Sequence, residues 1–447
     1  MITILQFLIP GSPSNVDFQL CPQRTNLPGP RTISHAFHED KDVPSTKVTH
    51  MVTQFGQFVD HDVGETPSHE SEGCCSKGLE DECFPIPVQA IDSFYSLRNV
   101  SCLDFARSVA YCEENGGVRQ QFNGLTHFFD ASMVYGNSED TANLLRSFVD
   151  GKLKVGTFDL LPMDENGEEL AGDHRVREMP GLTSLHTLFV REHNRICDLL
   201  QLIYIKFNTD EFLYQIARKI VIAEYQSIVY GEFLPAIIGN QNLDGLTLSN
   251  TGSSYDPMTN PSITNEFSTA SYRFGHSMIQ GIIELFATDN SGKLEQFVLH
   301  DEFRDTSRLG VFGGKGMEKI LMGLINQPSQ TFDKDVTIEV TNFLFPDEGQ
   351  NFGGDLVARN LQRGRDHGLP GFCCYYKVYE DENFDCTNGW SERYNGFSLE
   401  NWALLQSIYE KPSDIDLFTG GLTQEAQDDS LIGNVFNQMI GNFCSFH

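Results

Sequence analysis

Asp60-His61-Asp62 sets a histidine between two carboxylates, and Gln57 precedes it by one helical turn. Such a histidine can ligate a metal, act as a general base or join an ion pair, and spacing leaves all three open. Between Thr126 and Ser132, oxygen-bearing side chains alternate (Thr126, Asp130, Ser132), with the Phe128 carbonyl among them. In an extended segment these oxygens point to one side, the kind of hard-oxygen set calcium takes; an ordinary polar turn is the plainer alternative. Arg175 and Glu178 stand three residues apart, so a helix puts them on one face as a salt bridge or a functional pair. Three histidines compete as iron ligands or as hydrogen-bonded core residues. They are His276 in Tyr272-Arg273-Phe274-Gly275-His276, His193 in Arg191-Glu192-His193-Asn194-Arg195, and His367 in Arg365-Asp366-His367-Gly368. Spacing does not choose among them.

Helices must position these groups. Residues 47–60 read as a helix ending at the Asp60-His61-Asp62 group. Leu182, Leu185, Phe189, Ile196, Leu199 and Ile203 recur at spacings of three, four and seven, which makes an apolar helical stripe. Residues 211–229 repeat the pattern, and Phe233-Leu234-Pro235 is expected to end that element. Residues 241–265, rich in Gly, Pro, Ser and Asn, read as a loop. Further helices are expected at 266–281, 315–325, 349–361, 398–409 and 422–441. Strand signals are few and short. The expected fold is mainly α, one large domain over 21–447, with residues 1–20 as an N-terminal extension.

With 62 acidic and 31 basic residues the formal net charge is −31, so nucleic acid and anionic membranes would be repelled. No apolar run approaches the ~18 residues of a membrane span. Of eleven cysteines, Cys21, Cys74, Cys75, Cys83, Cys102 and Cys112 fall in the first quarter. Their spacing lacks the paired units of a zinc site and reads as disulfides of an oxidising compartment. The sequon Asn99-Val100-Ser101 agrees with a secreted glycoprotein. The apolar start MITILQFLIPGSPS lacks a basic region and is a poor signal peptide.

Five strings then occur in one order: FGQFVDHD at 55–62, FFDASMVYG at 128–136, LFVREHNRIC at 188–197, YRFGHSMIQ at 272–280 and NLQRGRDHGLPGF at 360–372. Together they resemble the animal haem peroxidase superfamily, from about Leu27 to Gly441. The resemblance implies a haem b enzyme in which hydrogen peroxide oxidises small donors (halides, thiocyanate, phenols) through a ferryl state, in an extracellular oxidative or defence role. It implies His61 as the distal acid–base group, Arg175 as the distal arginine and Gln57 as the glutamine that orders water and halide. It implies His276 as the proximal iron ligand, Asn360 as the partner of that ligand's other nitrogen, and Arg273 and Arg363 as the propionate partners. Asp60 and Glu178 match carboxylates that form esters to the haem. Met179 stands where one member of the family carries a methionine joined to a haem vinyl group as a sulfonium. Asp62, Thr126, the Phe128 carbonyl, Asp130 and Ser132 match a calcium site.

Relative to the family, an opening segment with its own cysteine is lacking, the chain stops early, and the odd cysteine count fits a lost partner. Two rivals stay open: a fatty-acid oxygenase of the same superfamily, favoured by a long apolar channel, and an adhesive peroxinectin-like protein. The adhesive reading is weakened by the lack of an RGD or KGD tripeptide.

Overall fold

Among the described residues, seven helices run to ten residues or more: His50–Val63, Pro180–Ile203, Asp210–Ile228, Gly316–Asn326, Leu356–Asp366, Leu399–Ile408 and Asn434–Cys444. The computed structural model describes residues 26–111, 119–203, 209–240, 260–289, 291–427 and 429–444, together with 3–5, 22 and 24. Cys21, Cys112 and the part of the expected loop at 241–259 lie outside them. Strands are short. The longest, Pro44–Thr49 and Lys293–Val298, pair antiparallel with Pro328–Gln330 and Ile282–Phe286. The fold is mainly α, as expected, around one principal core.

That core forms where the Pro180–Ile203 helix meets the helices His50–Val63 and Asp210–Ile228. Phe58 is fully buried; it stacks on Phe189 and meets His186 edge-on, each with centroids 4.9 Å apart. Burying one such ring stabilises by roughly 1.5–3 kcal/mol, so the contact fixes the helix that ends in Asp60-His61-Asp62. The expected stripe is corrected at its end. Leu182, Leu185, Phe189 and Ile196 are buried, but Leu199 is 45% and Ile203 69% exposed. The buried face instead continues through His193, Cys197 and Leu200. A stripe at 3.6 residues per turn drifts away from a strict seven-residue repeat.

Other boundaries also differ. The chain does not leave the helix at Phe233-Leu234-Pro235: a π turn over Val229–Phe233 leads into a further helix, Leu234–Ile238, which ends at Gly239 with φ 79°. Pro235 sits in the first turn of that helix, where its missing N–H costs nothing. The expected helix at 266–281 is two pieces, Asn265–Thr269 and a 3₁₀ segment Ser271–Met278, separated at Ala270 (φ −134°, ψ −66°). That at 349–361 starts only at Leu356, where Asp355 caps it by accepting from Ala358 N. That at 422–441 is interrupted between Leu417–Thr423 and Asn434–Cys444.

Disulfides join Cys74 to Cys83, Cys75 to Cys102 and Cys373 to Cys386, and Cys374 is also disulfide-bonded. The first two staple the loop after the His50–Val63 helix. Among the described residues the free thiol is Cys197, buried in its helix with Sγ 3.3 Å from the Gly151 carbonyl oxygen. Cys197 is thus a core side chain. Among the described residues no helix is long and apolar enough to cross a membrane.

Candidate active site

The helix His50–Val63, the 3₁₀ turn His174–Arg177, the segment Ser271–Met278 and the helix Leu356–Asp366 together enclose a cavity of about 1280 Å³. It is lined by Gln57, Asp60, His61, Arg175, Glu178 and Met179 from the first two elements and the residue pair after the turn. Arg273, His276, Asn360 and Arg363 line it from the other two. Cofactor pockets run to roughly 300–1,000 Å³, so the space is large enough for a cofactor. His193 and His367 do not line it. His193 is held by Tyr135 Oη and the Gly151 carbonyl, at 3.0 and 2.9 Å. His367 lies between Ser108 Oγ at 2.7 Å and Asn265 Oδ1 at 2.6 Å.

In the first wall, Gln57 Nε2 donates to Glu178 Oε2 at 2.8 Å, and Gln54 Nε2 donates to Gln57 Oε1 at 2.8 Å. His61 Nε2 is 3.9 Å from Glu178 Oε2. Arg175 does not pair with Glu178 along the turn as a helical salt bridge would. Its Nε and Nη2 donate to Asp173 at 2.9 and 2.8 Å, and its Nη1 donates to the Gly64 carbonyl at 3.1 Å. Asp60 Oδ2 lies 3.6 Å from Arg175 Nη1. Burial pushes the Asp60 carboxyl up to about 6 and that of Glu178 up to about 7. Burial and the Arg175 charge hold the His61 imidazole well below its ordinary range, hence neutral at physiological pH.

The second wall is cationic. Asn360 bridges it: its side-chain amide lies 2.7 Å from His276 Nδ1, and its Oδ1 accepts from Arg273 Nη1 at 2.8 Å; a ring that offers Nε2 to a metal carries its proton on Nδ1, which the amide accepts with its oxygen and nitrogen exchanged. Burial, then Arg273, lowers His276 to about 3, which keeps the ring neutral with a nitrogen lone pair to offer a metal. Arg273 makes no salt bridge among the described residues; its Nε donates to the Ser268 carbonyl. Burial and neighbouring Arg273 lower Arg363 to about 10. A neutral imidazole beside under-compensated guanidinium groups suits a planar iron cofactor that carries carboxylates.

Directly after His61, Asp62 turns away from the cavity. Its fully buried carboxylate accepts from Ala131 N at 3.1 Å and from Ser132 N and Oγ at 2.5 and 2.8 Å. Ala131 adopts φ 57°, ψ 35°, which folds the loop back so that Ser132 N also reaches Asp130 Oδ1 at 3.0 Å. Thr126 Oγ1 donates to the Phe128 carbonyl at 3.3 Å. The five predicted oxygen donors are thus brought together. Burial and the neighbouring Asp130 raise Asp62 to about 8, and among the described residues no salt bridge gives either carboxylate a cationic partner. A buried and a partly buried carboxylate so placed fit a divalent cation with oxygen ligands.

Three residues of the site were not picked out from the sequence. Asp173 is 2% exposed and carries Arg175. Arg359 lines the cavity one helical turn before Arg363; the four-residue spacing of the two arginines was the available signal. Gln54 stands one turn before Gln57, and its place shows only once Gly181 is packed against it, where a Cβ would lie 2.4 Å from Gln54 Oε1.

The sequence matches the animal haem peroxidase family over residues 12–445. It is 35% identical to the chorion peroxidase of Drosophila melanogaster over 94% of this chain and 54% of that protein. It is 33% identical to the thyroid peroxidase of Rattus norvegicus over 87% of this chain and 46% of that protein. The chain thus spans about half the length of these relatives. The solved Peroxidase A of Dictyostelium discoideum superposes with a TM-score of 0.80 at 26% identity, covering 98% of this chain and 86% of that one. A fatty acid alpha-dioxygenase of Oryza sativa shares the fold, with a TM-score of 0.75 at 20% identity over 94% of this chain and 72% of that one.

Proposed function

The chain belongs to the animal haem peroxidase family, and from that premise we propose that it reduces hydrogen peroxide to water at the expense of small donors: halides, thiocyanate or phenols. The observation that carries the reading is one cavity lined by a neutral His276 and a neutral His61 together with Arg175. Haem b, when bound, supplies the two-electron reduction of peroxide and the oxidation of donors. His276 would hold its iron, with Asn360 fixing the other ring nitrogen. Arg273 and Arg363 would take the propionates. Asp60 and Glu178 would carry the ester links, and Met179, which lines the same cavity, would carry a sulfonium link.

His61 takes a proton from the bound peroxide and returns it to the departing oxygen, which leaves as water. A base must be unprotonated to do this, and burial beside Arg175 keeps His61 so. Arg175 supplies a fixed positive charge where negative charge develops as the O–O bond breaks. Gln57, held between Gln54 and Glu178, orients water or halide beside them. Calcium held by Asp62, Thr126, the Phe128 carbonyl, Asp130 and Ser132 would pin the helix end that carries His61. The disulfides and the family support an extracellular place, and nucleic acid is no partner for so acidic a chain.

The test is an absorption spectrum of the purified protein, followed by peroxide-dependent oxidation of bromide and of a phenol. A Soret band with turnover of either donor is expected. A protein that binds no haem defeats the proposal. The shared fold of the dioxygenase favours one rival: peroxide-independent oxygen uptake with a fatty acid would replace the peroxidase reading.

A further inference from the structure

We infer that Asp173 is a positioning residue for the proposed peroxide-handling pair, fixing the plane of the Arg175 guanidinium and keeping the proton of His61 on Nδ1. The inference rests on the reading of His61 and Arg175 given above. Asp173 caps the His174–Arg177 turn, its Oδ1 accepting from Arg175 N at 2.8 Å. The same carboxylate takes Arg175 Nε on Oδ1 at 2.9 Å and Nη2 on Oδ2 at 2.8 Å. This two-point contact sets the orientation of the guanidinium as well as its place. Of arginine's five N–H donors, two go to Asp173 and one, on Nη1, goes to the Gly64 carbonyl. One hydrogen on each terminal nitrogen is left to act in the cavity that Arg175 lines.

Asp173 Oδ1 also lies 3.7 Å from His61 Nδ1. That nitrogen is buried and has no hydrogen-bond partner among the described residues. The other ring nitrogen, Nε2, lies on the side of Glu178, which lines the cavity. An ionised carboxylate can only accept hydrogen bonds. Against the penalty of burial, the Arg175 charge and its hydrogen bonds hold Asp173 well below the usual carboxylate range, so it stays ionised. It attracts a proton on Nδ1 and repels a lone pair there. Nε2 is thereby left as the lone pair, and a general base needs its lone pair where the substrate's proton arrives. Asp173 touches no reacting atom in this account; it acts through its two neighbours.

Asp173→Asn tests this. Asparagine caps a helical turn about as well as aspartate, but it removes the charge and one of the two acceptors. In the haem-loaded protein, kcat/KM for peroxide is expected to fall about 10- to 100-fold, the usual loss when a group that orients a functional ligand is changed. The KM for the reducing donor is expected to stay within about twofold. Cyanide binding to the ferric protein, followed by absorbance, gives a readout without turnover. Hydrogen cyanide must shed its proton to bind, so its association rate is expected to fall by a similar factor. ¹⁵N spectra of the diamagnetic ferrous carbonmonoxy form should show His61 protonated on Nδ1 in the wild type and a mixture of tautomers in the variant. Asp173→Ser, which keeps a cap without charge, is expected to behave alike. Peroxide and cyanide rates per bound haem within about twofold of wild type in both variants would overturn the inference and leave Asp173 a cap. A uniform fall of every parameter alongside a collapse of the unfolding midpoint would overturn it too. A wild type without peroxide turnover, whose cyanide rate still drops in D173N, would sink the proposed function and uphold the positioning role.

Discussion

The two walls of the cavity are built on different electrostatic plans. The wall bearing Gln57, Asp60, His61, Arg175 and Glu178 mixes acids, a base and a cation. Burial there drives the carboxyls up, to about 6 and about 7, and holds the imidazole well below its ordinary range, so the base stays unprotonated while the acids titrate near neutrality. The wall bearing Arg273, His276, Asn360, Arg359 and Arg363 holds guanidinium groups around one neutral ring. Burial lowers Arg363 only to about 10, so that wall keeps its charge across the physiological range. The difference teaches a division of labour: one wall is suited to moving protons, the other to holding an anionic, metal-bearing group in place.

The comparison can be broken most violently at the holding wall. His276→Ala is expected to leave little bound haem and negligible turnover; an unchanged absorption spectrum would move the ligand assignment elsewhere. At the proton-moving wall the expected loss is kinetic. His61→Ala and Arg175→Ala should keep a haem spectrum while the step with peroxide slows by roughly 10²–10⁴, as stopped-flow mixing would read; a near-normal rate would deny this wall its role. Asp130→Ala should empty the proposed calcium site and lower the unfolding midpoint by several degrees, checked by metal analysis and calorimetry. Undiminished metal content would show that the oxygens gathered at Asp62 serve only as a turn.

A smaller effect concerns pH. Glu178 holds its proton more tightly in the folded protein than in the unfolded chain, about 7 against 4.5. Its contribution to stability is full below the unfolded value and is lost as pH rises through about 7. Haem-free Glu178→Gln should therefore gain on the wild type between about pH 5 and about pH 8, by on the order of 1 kcal/mol, in denaturant titrations at the two pH values. The smallest expected effect is spectral. If Met179 is joined to the haem, Met179→Thr should move the Soret band to shorter wavelength and depress halide oxidation more than phenol oxidation. Haem peptides with Glu178 esterified and Met179 unmodified would refute the link.

Much of this was legible in the sequence because its signals are local. The string from Gln57 to Asp62 lies on one helix, and the alternation from Thr126 to Ser132 survives as a real gathering of oxygens. Spacing left three candidate histidines level and the resemblance chose His276; the structure sets that one on the cavity and ties the other two into hydrogen bonds elsewhere. Asp173 escaped notice because an aspartate two residues before an arginine is unremarkable until the turn sets its carboxylate against the guanidinium and 3.7 Å from Nδ1 of a residue more than a hundred positions away. The helix past Pro235 escaped because a π turn absorbs the proline, which no periodicity announces. Leu199 and Ile203 were misjudged because a seven-residue rule outruns a 3.6-residue helix.

Gly172, next to Asp173, carries one further consequence. A Cβ there would lie 2.1 Å from the Ser132 carbonyl oxygen and 2.5 Å from Gly136 N. Backbone therefore rests on backbone, with no side chain between to act as a cushion. The loop that gathers oxygens around Asp62 and the loop that aims Arg175 are geared like two meshed teeth, so displacing one must displace the other. Ordering of the oxygen loop, by an ion or otherwise, would then reach the arginine by contact alone, through a route that carries no charge and that salt cannot screen.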